Sequence, residues 1–289
     1  MSIQRVSNLP HVPLRKQDSH KGTFGRVLIV AGSPGMSGAA VLSGLGALRS
    51  GAGLVYIATS KSVLPIVASA EPSYLTIPLI DDDSGRLKKA ALEAITSASQ
   101  GKDAIAIGPG LGVTPATRKI VRTLFESVEQ PMVIDADGLN CLAEEKIDWK
   151  SAAGPRVLTP HPGEFARLID SDISTVQQNR EELAVTFAAD AGVVLLLKGA
   201  GTIVTDGERV YTNTTGNAGM STGGTGDVLT GIITALLAQK FEPFAAAQLG
   251  AFLHGLAGDI AAEELTHPGL IASDLPQYLP KAWKRLQQG

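Results

Sequence analysis

Short apolar runs alternate with stretches of helical periodicity along most of the chain. Arg26–Ala31 is a β-branched run stopped by Gly32, which predicts a strand buried on both faces. Ser37–Ser50, rich in Ala, Leu and Gly, reads as a closely packed helix. Leu54–Ala58, Asp103–Ile107, Met132–Asp135, Val157–Leu158 and Val193–Leu197 read as further strands. Helical patterns at 87–99, 115–128, 139–144 and 175–191 fill the gaps. This alternation predicts an α/β fold with a mainly parallel sheet and helices on both faces. Later the pattern changes. Segments 202–205 and 209–212 flank Asp206-Gly207, a hairpin signal, and two apolar helices (225–239, 243–265) and an amphipathic one (272–286) follow. No linker-like tract or repeat interrupts the series. One domain over 1–289 is therefore expected, with residues 1–20 as a loosely ordered or packing arm.

In an open parallel sheet, ligands bind outside the carboxyl ends of the strands. The distinctive loops fall there: Gly32-Ser-Pro-Gly35, Gly108-Pro-Gly-Leu-Gly112, Asp135-Ala-Asp137, Thr159-Pro-His-Pro-Gly-Glu164 and Lys198-Gly-Ala-Gly201. Five such loops are expected to meet along one rim. The most specific segment is Asn217-Ala-Gly-Met-Ser-Thr-Gly-Gly-Thr-Gly-Asp227, which opens a helix. Gly223, Gly224 and Gly226 strip side chains from a helix start whose free N–H groups and dipole suit a phosphate. Asp227 then lies in the first turn, where a carboxylate can take a proton from an attacking hydroxyl. By itself an acidic residue in a first turn is only a favourable helix charge; the glycine cluster and the Lys198 loop point to chemistry. Neither a Gly-x4-Gly-Lys-Ser/Thr loop nor a Gly-x-Gly-x-x-Gly helix start is present, which disfavours both common nucleotide folds.

Composition narrows the classes. The 25 basic and 28 acidic side chains give a net charge of −3 and form no basic stripe, so no nucleic-acid partner is expected. A single cysteine, Cys141, cannot form an internal disulfide and reads as a small core residue. The apolar stretch 244–262 carries Gln248, His254 and Asp259, which suits a buried helix and no membrane partner. The N-terminus has no secretory apolar core, and a cytoplasmic protein is expected.

Eight segments together resemble the ADP/ATP-dependent NAD(P)H-hydrate dehydratases, a branch of the ribokinase-like superfamily. They are Lys21-Gly-Thr-Phe-Gly25, Gly35-Met-Ser-Gly-Ala-Ala40, Leu48-Arg-Ser-Gly-Ala-Gly-Leu-Val55, Ile107-Gly-Pro-Gly-Leu-Gly112, Val133-Ile-Asp-Ala-Asp-Gly-Leu-Asn140, Leu158-Thr-Pro-His-Pro-Gly-Glu164, Leu197-Lys-Gly-Ala-Gly-Thr202 and 217–227. The resemblance implies a ribokinase-like fold and repair of the S epimer of hydrated NADH or NADPH (NADHX, NADPHX), with ADP or ATP as co-substrate and Mg2+ as cofactor. It assigns ADP/ATP to Lys198, Gly199, Ala200, Gly201, Thr202, Gly223, Gly224, Thr225 and Gly226. It assigns the hydrated cofactor to Ala40 or Ala39, Gly112 or Gly110, His161 and Asp227, with Asp227 catalytic. It further implies a homotetramer, and a separate NAD(P)HX epimerase as functional partner, since little sequence precedes Lys21.

Other readings stand beside these. Ala39 and Ala40 can serve close packing, and glycines 108–112 can simply shape a turn. His161, held between two prolines, reads as a ligand contact, whereas His254 reads as a core histidine. Asp135 and Asp137 can cap the next helix. Glu164 can meet Mg2+ through water or mark a helix start. Two other functions fit the glycine turn: a small-molecule kinase of the same fold, such as a thiamine-precursor kinase, or a non-catalytic nucleotide-binding module.

Overall fold

The computed structural model describes residues 3–288, so Met1, Ser2 and Gly289 lie outside it. The strands are β1 (Gln4–Arg5), β2 (Arg26–Val30), β3 (Leu54–Ser60), β4 (Leu75–Leu79), β5 (Ala104–Ile107), β6 (Met132–Ile134), β7 (Arg156–Leu158), β8 (Val194–Leu197), β9 (Ile203–Thr205) and β10 (Arg209–Thr212). They form one sheet in the order β1-β10-β9-β8-β7-β6-β5-β2-β3-β4. Strands β4 to β8 pair in parallel through β2 and β3, and β9 runs antiparallel to both β8 and β10.

Side chains alternate across a strand, and β2 shows what that does. Val27 and Ile29 join one buried layer with α1 (Ser37–Arg49), α9 (Thr225–Ala238), α10 (Pro243–Leu265) and α11 (Leu275–Gln288). Leu28 and Val30 join the other, with α3 (Ala91–Ser99), α4 (Pro115–Ser127), α5 (Asp137–Glu145), α6 (Pro162–Leu168) and α8 (Arg180–Ala191). Helices cover both faces, as the continuous apolar strands require. Cys141 is fully buried in the second layer, and burial pushes its thiol up to about 12.

Several elements differ from the sequence expectation. β4 and α2 (Leu64–Ala70) are additional. β4 carries Pro78 and is an edge strand, where a missing N–H is tolerated. The helix expected from Leu87 starts at Ala91, because Leu87 forms a bridge with Asp81. The helix expected over 175–191 is two, α7 (Ile173–Gln178) and α8, which meet at Asn179. The arm is held: β1 pairs with β10, the Gln248 amide donates to Asn8 O at 2.8 Å, and Arg15 donates to Gly51 O at 2.7 Å.

Two glycines let α9 approach α1. A Cβ on Gly231 would run into the Ser43 carbonyl, and one on Gly46 into the Val228 carbonyl. This close crossing sets the height of the first turn of α9 above the sheet. Among the described residues, no helix is long and apolar enough to cross a membrane.

Candidate active site

The rim loops converge at the carboxyl ends of β2, β5, β6, β7 and β8. Gly32 N–H donates to Pro109 O at 2.9 Å, and the Ser33 hydroxyl to Gly110 O at 2.8 Å, tying the first two loops. Gly112 N–H donates to Asp137 Oδ2 at 2.8 Å, joining the second to the third. Lys198 N–H donates to Pro160 O at 2.8 Å, joining the fourth to the fifth.

Within this frame Asp135 is almost wholly buried and uses both carboxylate oxygens. Oδ1 accepts from Lys198 Nζ at 2.8 Å and Oδ2 from the Thr230 hydroxyl of α9 at 2.7 Å. Asp135 and Asp137 therefore do not cap α5; its N-cap residue is Ala136, at φ 49° without a side-chain cap. Lys198 Nζ also lies 3.7 Å from Glu164 Oε2. Burial opposes the ammonium charge, but Asp135, Glu164 and Asp227 outweigh it and raise the Lys198 pKa.

Asp227 sits in the first turn of α9. Burial, and then the charge of Asp135, push its carboxyl up to about 7 against the pull of Lys198. Among the described residues, the N–H groups of Gly223, Gly224, Thr225 and Gly226 have no protein acceptor. Gly224 has φ 98° and a Cβ on Gly226 would stand 3.3 Å from Lys198 Nζ, so the turn lies against the ammonium group. Free amides, a helix N-terminus and a cation in one place bind an anion. Among the described residues, nothing stands within 4 Å of the Cβ positions of Gly35, Gly38, Gly112 and Gly223, which leaves room over these rim glycines.

His161 is the N-cap of α6. Its Nδ1 accepts from Gly163 N–H (3.0 Å) and Glu164 N–H (3.2 Å), while Glu164 Oε2 accepts from His161 N–H at 2.8 Å. An accepting Nδ1 leaves Nε2 carrying the proton, on a half-exposed ring. Glu164 is thus a capping-box residue with its second oxygen 3.4 Å from His161 Nε2.

The alternatives at two positions separate. Ala40 is fully buried beneath Gly32, so of the pair only Ala39 reaches the rim. Gly110 is buried against Met36 and Ala39, whereas Gly112 is partly exposed. Gly199, Ala200 and Gly201 are exposed, with Thr202 Oγ1 donating back to Gly199 O at 2.9 Å. Two resembling segments, 21–25 and 48–55, lie at the far end of the sheet and pack chain against chain: a Cβ on Gly53 would collide with Lys21 O.

The sequence reading passed over Arg180. Its guanidinium donates to Leu197 O (3.2 Å), Lys198 O (3.3 Å) and Ala200 O (2.9 Å), bracing the exposed loop from behind. No local pattern marks it, because it lies on α8, one connection upstream. A groove of about 820 Å3 lies at the opposite end, between the arm and α11, lined by Arg15, Arg49, Trp283 and Lys284 among others. It touches none of the rim loops. Convergent polar groups mark the rim, not size.

Residues 27–281 match the family model described as NAD(P)H-hydrate dehydratase. The bifunctional NAD(P)H-hydrate repair enzyme Nnr of Moorella thermoacetica is 44% identical over 279 residues, covering 96% of this chain and 52% of that protein. The chain thus spans about half the length of this and other bifunctional relatives. The ADP-dependent (S)-NAD(P)H-hydrate dehydratase of Bacillus subtilis is 36% identical over 281 residues, covering 96% of this chain and 95% of that one. The crystal structure of the Bacillus subtilis ADP/ATP-dependent enzyme with ATP/Mg2+ matches at TM-score 0.82, covering 95% of this chain and 94% of that chain. A ribokinase-like superfamily protein of Enterococcus faecalis, 28% identical, matches at TM-score 0.81 over 98% of this chain and 96% of that one.

Proposed function

The chain belongs to the NAD(P)H-hydrate dehydratase family, with a ribokinase-like fold, and we propose that it dehydrates the S epimer of NADHX and NADPHX. The phosphoryl donor is ADP, or ATP, and the products are NAD(P)H, phosphate and AMP, or ADP. The observation that carries this is Asp227, set beside unpaired amides and Lys198 with its carboxyl pushed up to about 7. A base near neutrality is suited to accept a hydroxyl proton at working pH.

Hydroxide is a poor leaving group, and phosphorylation makes it a good one. Asp227 takes the proton of the C6 hydroxyl as that oxygen attacks the terminal phosphorus. The O–P bond forms and the bond to the departing nucleotide breaks. The 223–226 amides and Lys198 hold the transferring charge. The ring nitrogen lone pair then expels phosphate, and loss of a proton from the neighbouring carbon restores the double bond. On this reading Ala39, Gly112 and the Nε2–H of His161 face the hydrated cofactor, and the 198–202 loop faces the nucleotide.

Among the described residues no group of three or more His, Cys, Asp or Glu is placed to cage a metal. Glu164, whose Oε2 lies 3.7 Å from Lys198 Nζ, would reach through water an Mg2+ carried in on the polyphosphate. When bound, the ion supplies neutralisation of phosphate charge. A cytoplasmic setting, a homotetramer and an epimerase acting on the other epimer complete the proposal.

The test is absorbance at the reduced-nicotinamide band with hydrated NADPH and ADP, ATP or neither, with product analysis. Nucleotide-dependent appearance of NADPH and phosphate is expected. A stable phosphorylated product would mean a kinase, and tight ADP binding without turnover would mean a binding module.

A further inference from the structure

His254 lies on α10, outside every segment discussed for function, and is half-buried. Its Nε2 is 2.9 Å from the carbonyl oxygen of Thr225. A carbonyl can only accept, so Nε2 carries the proton and the ring is a donor. Burial pushes the imidazole down to about 4, the Thr225 hydrogen bond opposing and the Lys198 charge adding to it, so the ring is neutral at working pH.

The carbonyl of Thr225 and the N–H of Gly226 belong to one planar peptide unit. In a helix the carbonyl points toward the C-terminal end and the N–H toward the N-terminal end. Fixing the Thr225 oxygen therefore aims the Gly226 hydrogen into the phosphate cleft. A donor on the oxygen also polarises the unit and makes its N–H a stronger donor.

The helix that carries the imidazole is held from both sides. A Cβ on Gly250 would stand 2.7 Å from Ile233 of α9, and one on Gly255 2.6 Å from the Thr215 backbone carbonyl, so α10 is wedged between α9 and the 213–216 loop. Glycine alone would leave the phosphate-binding turn loose; the Gly224 φ of 98° is a conformation that turn must be held in.

We propose that His254 is a positioning residue for the anion-binding turn, orienting the Thr225–Gly226 peptide through the Thr225 carbonyl. This deepens the dehydratase reading and rests on it for the identity of the anion, a nucleotide polyphosphate.

The experiment compares His254→Leu and His254→Gln with the unaltered chain. Binding of ADP with Mg2+ is measured by calorimetry, binding of NADPH by its fluorescence, and kcat by the absorbance assay. The Leu variant is expected to lose about tenfold in ADP affinity and in kcat, with NADPH affinity unchanged. The Gln variant, whose amide can donate to the same oxygen, is expected to recover both to within about threefold. Unaltered ADP binding in the Leu variant, equal losses in Leu and Gln, or joint loss of ADP and NADPH affinity would each overturn the proposal. If the Leu variant does not fold, Gln and the shorter Asn give the same contrast, and equal behaviour overturns it. If the unaltered chain binds ADP but forms no NADPH from the hydrate, the dehydratase reading fails while the binding comparison still decides the role of His254. If it does not bind ADP, both fail.

Discussion

Lys198 Nζ lies 2.8 Å from Asp135 Oδ1, a pairing of side chains 63 residues apart that joins the ends of two strands under the cleft. Each partner also acts on Asp227. The Asp135 charge helps to raise its carboxyl pKa and the Lys198 charge restrains it. The proposed base is therefore poised by a balance that neither loop holds alone.

In the proposed role of base Asp227 acts only when ionised, and burial and the Asp135 charge push its carboxyl up to about 7. kcat/KM should rise with pH through about 7 and level off above it, as read from a profile between about pH 5.5 and 9. Asp227→Asn should lower turnover about 10²–10⁴-fold. The stability sign is opposite to that of a salt-bridged carboxylate. A raised folded pKa gives stability that is present below about pH 4 and lost as pH rises through about 7. The Asn variant should match the parent in melting temperature near pH 4 and exceed it at pH 8. A flat rate profile, or a variant less stable at pH 8, would contradict the assignment.

Asp135→Asn removes a like charge facing Asp227 while Lys198 remains. The acidic limb of kcat/KM should move to lower pH. The Thr230 hydroxyl can still donate to the Asn carbonyl, which limits the structural disturbance. A limb that stays in place would show that the Asp135 charge does not reach the base.

Arg180→Met takes one donor group from three loop carbonyls. The loop should wander, and KM for ADP should rise about tenfold at a loss of one to two hydrogen bonds' worth of order. KM for the hydrated cofactor, assigned to other loops in the proposed function, should hold. Equal rises in both KM values would point to general damage.

Gly231→Ala inserts a methyl where α1 and α9 touch, against the Ser43 carbonyl and 2.8 Å from Ala47 N. Backbone cannot step aside as a flexible side chain can, so a loss of about 1–3 kcal/mol is expected, seen as a melting temperature lower by several degrees. A shift below a degree would mean that the helices part freely here.

Much of the architecture was legible locally. The runs at 26–31, 103–107, 132–135 and 193–197 became strands within a residue or two, because strands buried on both faces must be apolar throughout. β4 escaped because Leu75-Thr-Ile-Pro-Leu79 breaks that signature with a proline that only an edge position permits. For α6 the sequence offered only a possible helix start at Glu164, because the short helix opens between prolines with His161 serving as an unusual cap.

The sequence by itself determined the parallel sheet, the rim loops at strand ends and the glycine-rich start of the Asp227 helix, since each is written in neighbouring residues through periodicity, turn chemistry and absent side chains. Only the tertiary structure decided that Asp135 serves Lys198 and not a cap, that Arg180 and His254 hydrogen-bond the backbone of the Lys198 loop and of the Asp227 turn, and that Ala40 turns inward while Ala39 reaches the rim. Those facts depend on which elements pack together and at what height. Hydrogen bonds and charge coupling act over a few ångströms of space, and separation along the chain carries no record of them.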